Sequence, residues 1–260
     1  MKLKVACQLN YESQENAPLI LMLRPQNGLE QKLIEENYLV TPNIPISEYQ
    51  DVYGNSCQRM IAPLGKLDIK TSFIFDVPEA LETNFEADFV YIEKLPNEVI
   101  IYTLPSRYCE SDKLSNLAFD ITQNLPLGYP QVEAIRLWVK SHLTYEYGRS
   151  SSSTSAYDVS ISRHGVCRDF THLCLALCRA LNIPARMVVG YLHDLKPMDL
   201  HAWFEAFVGD KWYTFDATQT SPKGGRIVIA YGRDANDVAF ATQFGEMELI
   251  NMYVSVDKIL

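Results

Sequence analysis

Between Cys167 and Leu181 the apolar residues Phe170, Leu173, Cys174, Leu177, Cys178 and Leu181 recur at spacings of three and four. That period lines one side of an α-helix with a single buried stripe. Asn182-Ile183-Pro184 ends the helix. Proline has no N–H to continue the ladder, and it pushes the residue before it out of helical backbone. Gly165-Val166 marks a turn at the other end. The rest of the chain must therefore supply an apolar surface for this stripe, and the helix must begin at or beside a thiol.

A thiol in that place sits in a distinctive field. First-turn amides lack helical acceptors, and the positive end of the helix dipole lies there, so an anion is favoured. An ordinary cysteine titrates near ~8.5, and a helix N-terminus together with an imidazole can lower that value and give a reactive thiolate. The same free amides can receive the oxyanion formed when a thiolate attacks a carbonyl.

The imidazole is expected on a hairpin. Residues 201–208 and 211–216 are aromatic-rich and strand-like, and Gly209-Asp210 between them reads as a two-residue turn. Val208 then faces Lys211, and Asp216 lies opposite Trp203, on the same face as His201. Such a diagonal pair is about 7–8 Å apart at the backbone, within reach of a His–Asp hydrogen bond. A three-residue loop would put His201 and Asp216 on opposite faces. Cys167, His201 and Asp216 are thus the candidate nucleophile, base and orienting acid, the acid holding the imidazole tautomer and stabilising imidazolium.

Four motifs occur in order: Gly165-Val166-Cys167-Arg168-Asp169-Phe170-Thr171-His172-Leu173, Asn182 to Tyr191, His201-Ala202-Trp203-Phe204-Glu205, and Trp212-Tyr213-Thr214-Phe215-Asp216-Ala217-Thr218. Together they resemble the transglutaminase-like superfamily, in particular the bacterial transglutaminase-like cysteine protease group. The tail Ile229 to Val238 is similar to that group as well. The resemblance is strong over residues 115–245 and weak before them. It implies a papain/transglutaminase-like core with the same three residues in the triad, and often a β-rich domain ahead of the core. Where the family pattern usually has Asp-Pro-Thr, this chain has Asp216-Ala217-Thr218, which touches local backbone stiffness and not the triad. In such enzymes an aromatic or polar side chain upstream of the cysteine helps the oxyanion hole, a part that Tyr145 or Tyr147 could take. Trp203 shares a strand face with His201 and either covers the triad, lines a substrate groove or packs in the core.

The fold expected is α+β: a β-sandwich-like N-terminal domain over residues 1–110 and a transglutaminase-like catalytic core over 111–260. In the first part Leu3, Val5, Cys7, Leu9 and Tyr11 alternate, as do Leu67, Ile69, Thr71, Phe73 and Phe75. Leu19 to Leu23 and Val99 to Tyr102 read as short apolar strands. In the second part, helices are expected near 114–125 and from Pro130 to about Leu143. The strands at 227–230 and 249–256 are expected to complete an antiparallel sheet against the cysteine helix.

Composition limits the partners. The 260 residues carry a net charge of −9 with no basic cluster, which argues against a nucleic-acid surface. No apolar run approaches the ~18 residues of a membrane span. The first ten residues alternate instead of forming a signal-peptide core, so a cytoplasmic location is expected. The six cysteines are scattered and contain no CxxC pair, which favours reduced thiols. Neither zinc nor calcium is implied, and no cofactor is expected. Cys174 and Cys178 read as core residues, His142 as a helix-end residue, and Asp169 as a first-turn carboxylate.

The leading expectation is thiol acyl chemistry on a protein or peptide substrate through a thioester, with water or an amine resolving it. Water makes a peptidase or amidase, the favoured outcome; an amine makes a protein-glutamine γ-glutamyltransferase. Acyl transfer from a thioester donor, as in arylamine N-acetyltransferases, fits the surrounding motifs less well. A non-catalytic binding module on the same scaffold is the reading from another class. Substrate sequence and oligomeric state stay open at this level.

Overall fold

The computed structural model describes residues 1–28 and 30–259. Six strands come first: β1 (Lys2–Ser13), β2 (Ala17–Leu21), β3 (Lys32–Thr41), β4 (Ile46–Gln50), β5 (Ser56–Ala62) and β6 (Gly65–Asp76). A one-turn helix α1 (Asn97–Ile100) precedes α2 (Ser115–Thr122) and α3 (Tyr129–His142). The core continues with β7 (Thr144–Tyr145), α4 (Ala156–Ser162), β8 (His164–Gly165) and α5 (Cys167–Ala180). Six strands finish the chain: β9 (Ala185–Leu192), β10 (His201–Val208), β11 (Lys211–Phe215), β12 (Arg226–Gly232), β13 (Ala241–Gln243) and β14 (Met247–Ile259). No helix among the described residues is long and apolar enough to cross a membrane.

Three four-stranded antiparallel sheets carry the fold, ordered β14-β1-β6-β3, β13-β2-β5-β4 and β11-β10-β9-β12. The alternation in β1 and β6 is the alternation of burial: Leu3, Val5, Cys7 and Leu9 face inward, with Leu67, Ile69 and Phe73 on the neighbouring strand. Leu19, Leu21 and Met60 of the second sheet belong to the same buried cluster, as a β-sandwich requires. That cluster runs on without a break into Leu173, Cys174 and Leu177 of α5. α5 lies on β9 and β10, against Ala202, Phe204 and Ala206. The class is α+β, as expected.

Two expectations fail here. The strand at 249–256 exists, but as part of β14 it pairs with β1 along Lys2↔Ile259 to Ser13↔Met247 and not with the catalytic sheet. β13 likewise pairs with β2. The β-sandwich is therefore built from both ends of the chain, and a division at residue 110 does not describe it. The edge of the third sheet is closed to another strand by side chains. Gln31 Oε1 accepts from Val228 N–H at 2.7 Å and its Nε2 donates to Val228 O at 2.9 Å. Asn55 does the same at Tyr231, at 2.8 and 2.7 Å. These amides satisfy the outward backbone groups that an edge strand exposes.

The second failure is Val99 to Tyr102, read as a strand. It is α1 followed by a helical turn over Ile101–Thr103. Leu95 and Val99, four residues apart, bury against Phe207 and Val90. Leu95 enters that contact from the extended Leu95-Pro96 segment just ahead of α1, and Val99 from the helical turn itself.

Candidate active site

Helix α5 opens at Cys167 because Asp169 organises the turn. Its carboxylate is fully buried and accepts from Val166 N–H at 2.8 Å and Ser150 Oγ at 2.5 Å. Arg168 pairs with the other oxygen at 2.8 Å and also holds Ser151 O at 2.7 Å. The Ser-rich loop is thus fastened behind the helix start. Gly165 has to be glycine there: an added Cβ would lie 2.5 Å from Asp169 Cβ. Among the six cysteines, Cys167 alone is not buried. Cys174 and Cys178 lie in the core, and burial pushes the Cys178 thiol well up.

Strands β10 and β11 are joined by a two-residue turn, with Gly209 at φ 56° and Asp210 at φ 62°. Both values are positive, a type I′ turn, whose twist suits a hairpin. The register runs Val208↔Lys211 to Phe204↔Phe215, as the two-residue turn predicts. It brings His201 Nε2 to 2.8 Å from Asp216 Oδ2, with both side chains almost wholly buried. The second carboxylate oxygen accepts from Thr218 N–H at 2.9 Å and Thr218 Oγ1 at 2.7 Å. Arg226 Nη2 donates to Oδ2 at 2.8 Å. Arg136 of α3 donates to the backbone oxygens of Asp216 and Gln219, pinning the loop itself.

The electrostatics follow from these partners. Burial by itself disfavours imidazolium, but the Asp216 charge and hydrogen bond, with a contribution from Cys167, raise His201 to about 9. Burial likewise opposes ionisation of Asp216, yet Arg226, His201 and Thr218 hold its carboxyl far below the usual carboxylate range. Nδ1 of His201 makes no well-formed hydrogen bond among the described residues, and the Cys167 thiol is the other group that acts on the ring beside Asp216. Such contacts in a ligand-free site commonly tighten only when substrate binds.

The remaining expected site residues divide. Tyr145 pairs with Gly165 across the short parallel ladder of β7 and β8, which sets it beside the helix start. Burial, the Cys167 thiol and Tyr147 push its hydroxyl up, while contact with the Cys167 backbone amide opposes the rise. Tyr147 is more exposed and meets Tyr145 edge-on at 5.6 Å. Trp203 is buried and stacked 6.1 Å from the His201 ring, with the Arg226 guanidinium 4.8 Å from its own ring centre. Its ring requires Gly190, where a Cβ would lie 2.8 Å from the indole and 2.0 Å from Ile227 O.

Trp203 and Arg226 line a cleft of about 810 Å³ on the face of the sheet away from α5. Arg186 crosses this reverse cleft, paired with Glu205 at 2.8 Å and held between Trp212 and Tyr231 at 4.2 and 3.9 Å. The other histidines stand apart. His172 stacks on Tyr108 at 5.1 Å and accepts from Ala235 N–H, and burial lowers it to about 3. His142 stacks on Trp138, His164 pairs with Glu146, and His193 lies near Asp194.

Residues 115–217 match the profile of the transglutaminase-like superfamily. The fold superposes on the crystal structure of a Cytophaga hutchinsonii protein described as a candidate cysteine protease, with TM-score 0.93 and 36% identity. That match covers 99% of this chain and 90% of the other. The chain belongs to the transglutaminase-like superfamily. Mycobacterial proteins are similar to it as well. The uncharacterized protein ML0607 of Mycobacterium leprae is 34% identical over 117 residues, 42% of each chain. The uncharacterized protein Rv2569c of Mycobacterium tuberculosis is 29% identical over 246 residues, 83% of this chain and 77% of that one. This transglutaminase-like chain thus shares its whole architecture, sandwich included, with the Cytophaga protein.

Two side chains of the site escaped the sequence reading. Thr218 had a signal: Asp-x-Thr is a spacing at which a carboxylate caps its own turn. Arg226, ten residues after Asp216 and on another strand, had none.

Proposed function

We propose that the chain is a transglutaminase-like cysteine peptidase or amidase acting on a protein or peptide substrate. The observation that carries this is the buried His201–Asp216 pair at 2.8 Å, raised in basicity and adjoining the one cysteine that is not buried, at the start of α5. With His201 holding a proton at neutral pH, Cys167 attacks the substrate carbonyl as the thiolate. The Cys167 N–H and the Tyr145 hydroxyl, neighbours in the free site, donate to the oxyanion. Collapse of the tetrahedral intermediate breaks the C–N bond, and His201 gives its proton to the leaving amine. His201 then takes a proton from water as it attacks the thioester, and the acid and the thiol are released. Asp216 keeps the ring oriented throughout without itself taking the proton.

The test is the rate of iodoacetamide labelling at Cys167, read by peptide mass spectrometry against pH in wild type and His201→Ala. The proposal expects labelling at and below neutral pH that depends on His201. Labelling that tracks an ordinary thiol near ~8.5 in both proteins would sink it.

A further inference from the structure

Arg226 begins β12 and reaches the site from the reverse cleft. Its Nη2 donates to the same Asp216 oxygen that accepts from His201, both at 2.8 Å. Its Nε donates to Lys223 O at 3.0 Å, and the guanidinium stacks on Trp203. The side chain is 5% exposed, and Nη1 is buried without a partner among the described residues. Thr218 meanwhile holds the other carboxylate oxygen. The carboxylate is therefore gripped at both oxygens, and a cation shares the oxygen that faces the imidazole.

We infer that Arg226 is a positioning residue: it fixes the Asp216 carboxylate from the reverse cleft and limits how tightly that carboxylate retains the proton on His201. The role rests on the acyl chemistry proposed above. A carboxylate bonded to an imidazole alone places its whole charge against the imidazolium. A guanidinium on the same oxygen withdraws part of that charge, and the imidazolium becomes a better acid towards a leaving amine. The charged and titratable groups around His201 are Cys167 from α5, Asp216 after β11, Asp199 just before β10 and Arg226 from β12, with Arg136 of α3 behind Asp216. Arg226 is the cation bonded to the side chain of Asp216, so its removal acts on the His–Asp pair directly.

Arg226→Met keeps an apolar stem over Trp203 and removes the charge. NMR of ring-labelled histidine, with the His201 signal assigned by His201→Gln, should show His201 titrating about one pH unit or more above wild type. A folded Arg226→Met protein with an unchanged His201 titration overturns the inference; Arg226→Gln provides the same measurement if Arg226→Met does not fold. In a second arm, Cys167 is acylated with p-nitrophenyl acetate at pH 7. Arg226→Gly should react about tenfold more slowly, and guanidinium ion at millimolar concentration should restore the rate by entering the vacated position from the cleft. A folded Arg226→Gly protein that guanidinium does not rescue also counts against the inference. If wild type itself is not acylated, the acyl-chemistry reading falls, while the His201 titration still decides whether Arg226 governs that proton.

Discussion

Asp216→Asn removes a carboxylate while keeping its outline, and its consequence for stability can be worked from the structure. In the folded wild type, burial opposes a charge on His201, but Asp216 overcomes it and the ring titrates at about 9. In the unfolded chain a histidine titrates near ~6.5. Folding therefore strengthens proton binding at His201. The stability this contributes is fully present below pH ~6.5 and is lost as the pH rises through the folded value. The gap between the two values corresponds to about 3 kcal/mol. In the variant, burial is opposed only by the smaller contribution of Cys167, and most of this loss has no source. The variant is also less stable throughout, by about 3–5 kcal/mol, because the buried Arg226 keeps its charge without an anion. The assay is urea unfolding by tryptophan fluorescence from pH 6 to 9.5. Buried thiols such as Cys109 and Cys178, raised by burial, add an alkaline loss to both proteins and cancel in the difference. The stability gap between wild type and variant should narrow by about 3 kcal/mol from pH 6.5 to 9. Parallel curves across that window would refute the account of what charges His201.

Asn55→Ala should lower stability by about 2 kcal/mol in urea unfolding, since it removes a fully buried amide and strands the outward N–H and C=O of Tyr231; Gln31→Ala should cost less, because it strands the Val228 N–H while Gln26 N–H still reaches Val228 O, and a loss within error at both would show that these amides are not what closes the sheet edge. Asp169→Ala should cost about 2 kcal/mol and speed amide hydrogen exchange in residues 148–155, whose fastening to the helix start it removes; unchanged exchange there would mean that the loop is held by other contacts.

The parts legible from sequence were those decided within a short span. The period of three and four placed α5 to within a residue of its end, and the two-residue turn set the β10–β11 register, hence the face shared by His201 and Asp216. Thr218 was within reach of the same local argument. Other features depended on distant partners. Val99 to Tyr102 carries β-branched and aromatic residues that suit a strand, but it folds as a helical turn whose Val99 packs on Phe207, over a hundred residues away. Trp203 shares a face with His201, yet whether that face opens on a groove or on the reverse cleft depends on how α5, Gln26, Gln31 and the 78–82 segment cover the sheet.

By itself the sequence determined a cysteine at a helix start and a histidine and an aspartate on one face of a hairpin, because helix period and turn length act over a few bonds and tolerate little else. Tertiary structure alone decided that the last strand closes the first sheet, that amide side chains seal the edge of the third, and that Arg226 grips the carboxylate. Those outcomes are competitions for unpaired backbone and unpaired charge between segments as far apart as Lys2 and Ile259, and the winner is settled only when the surfaces meet.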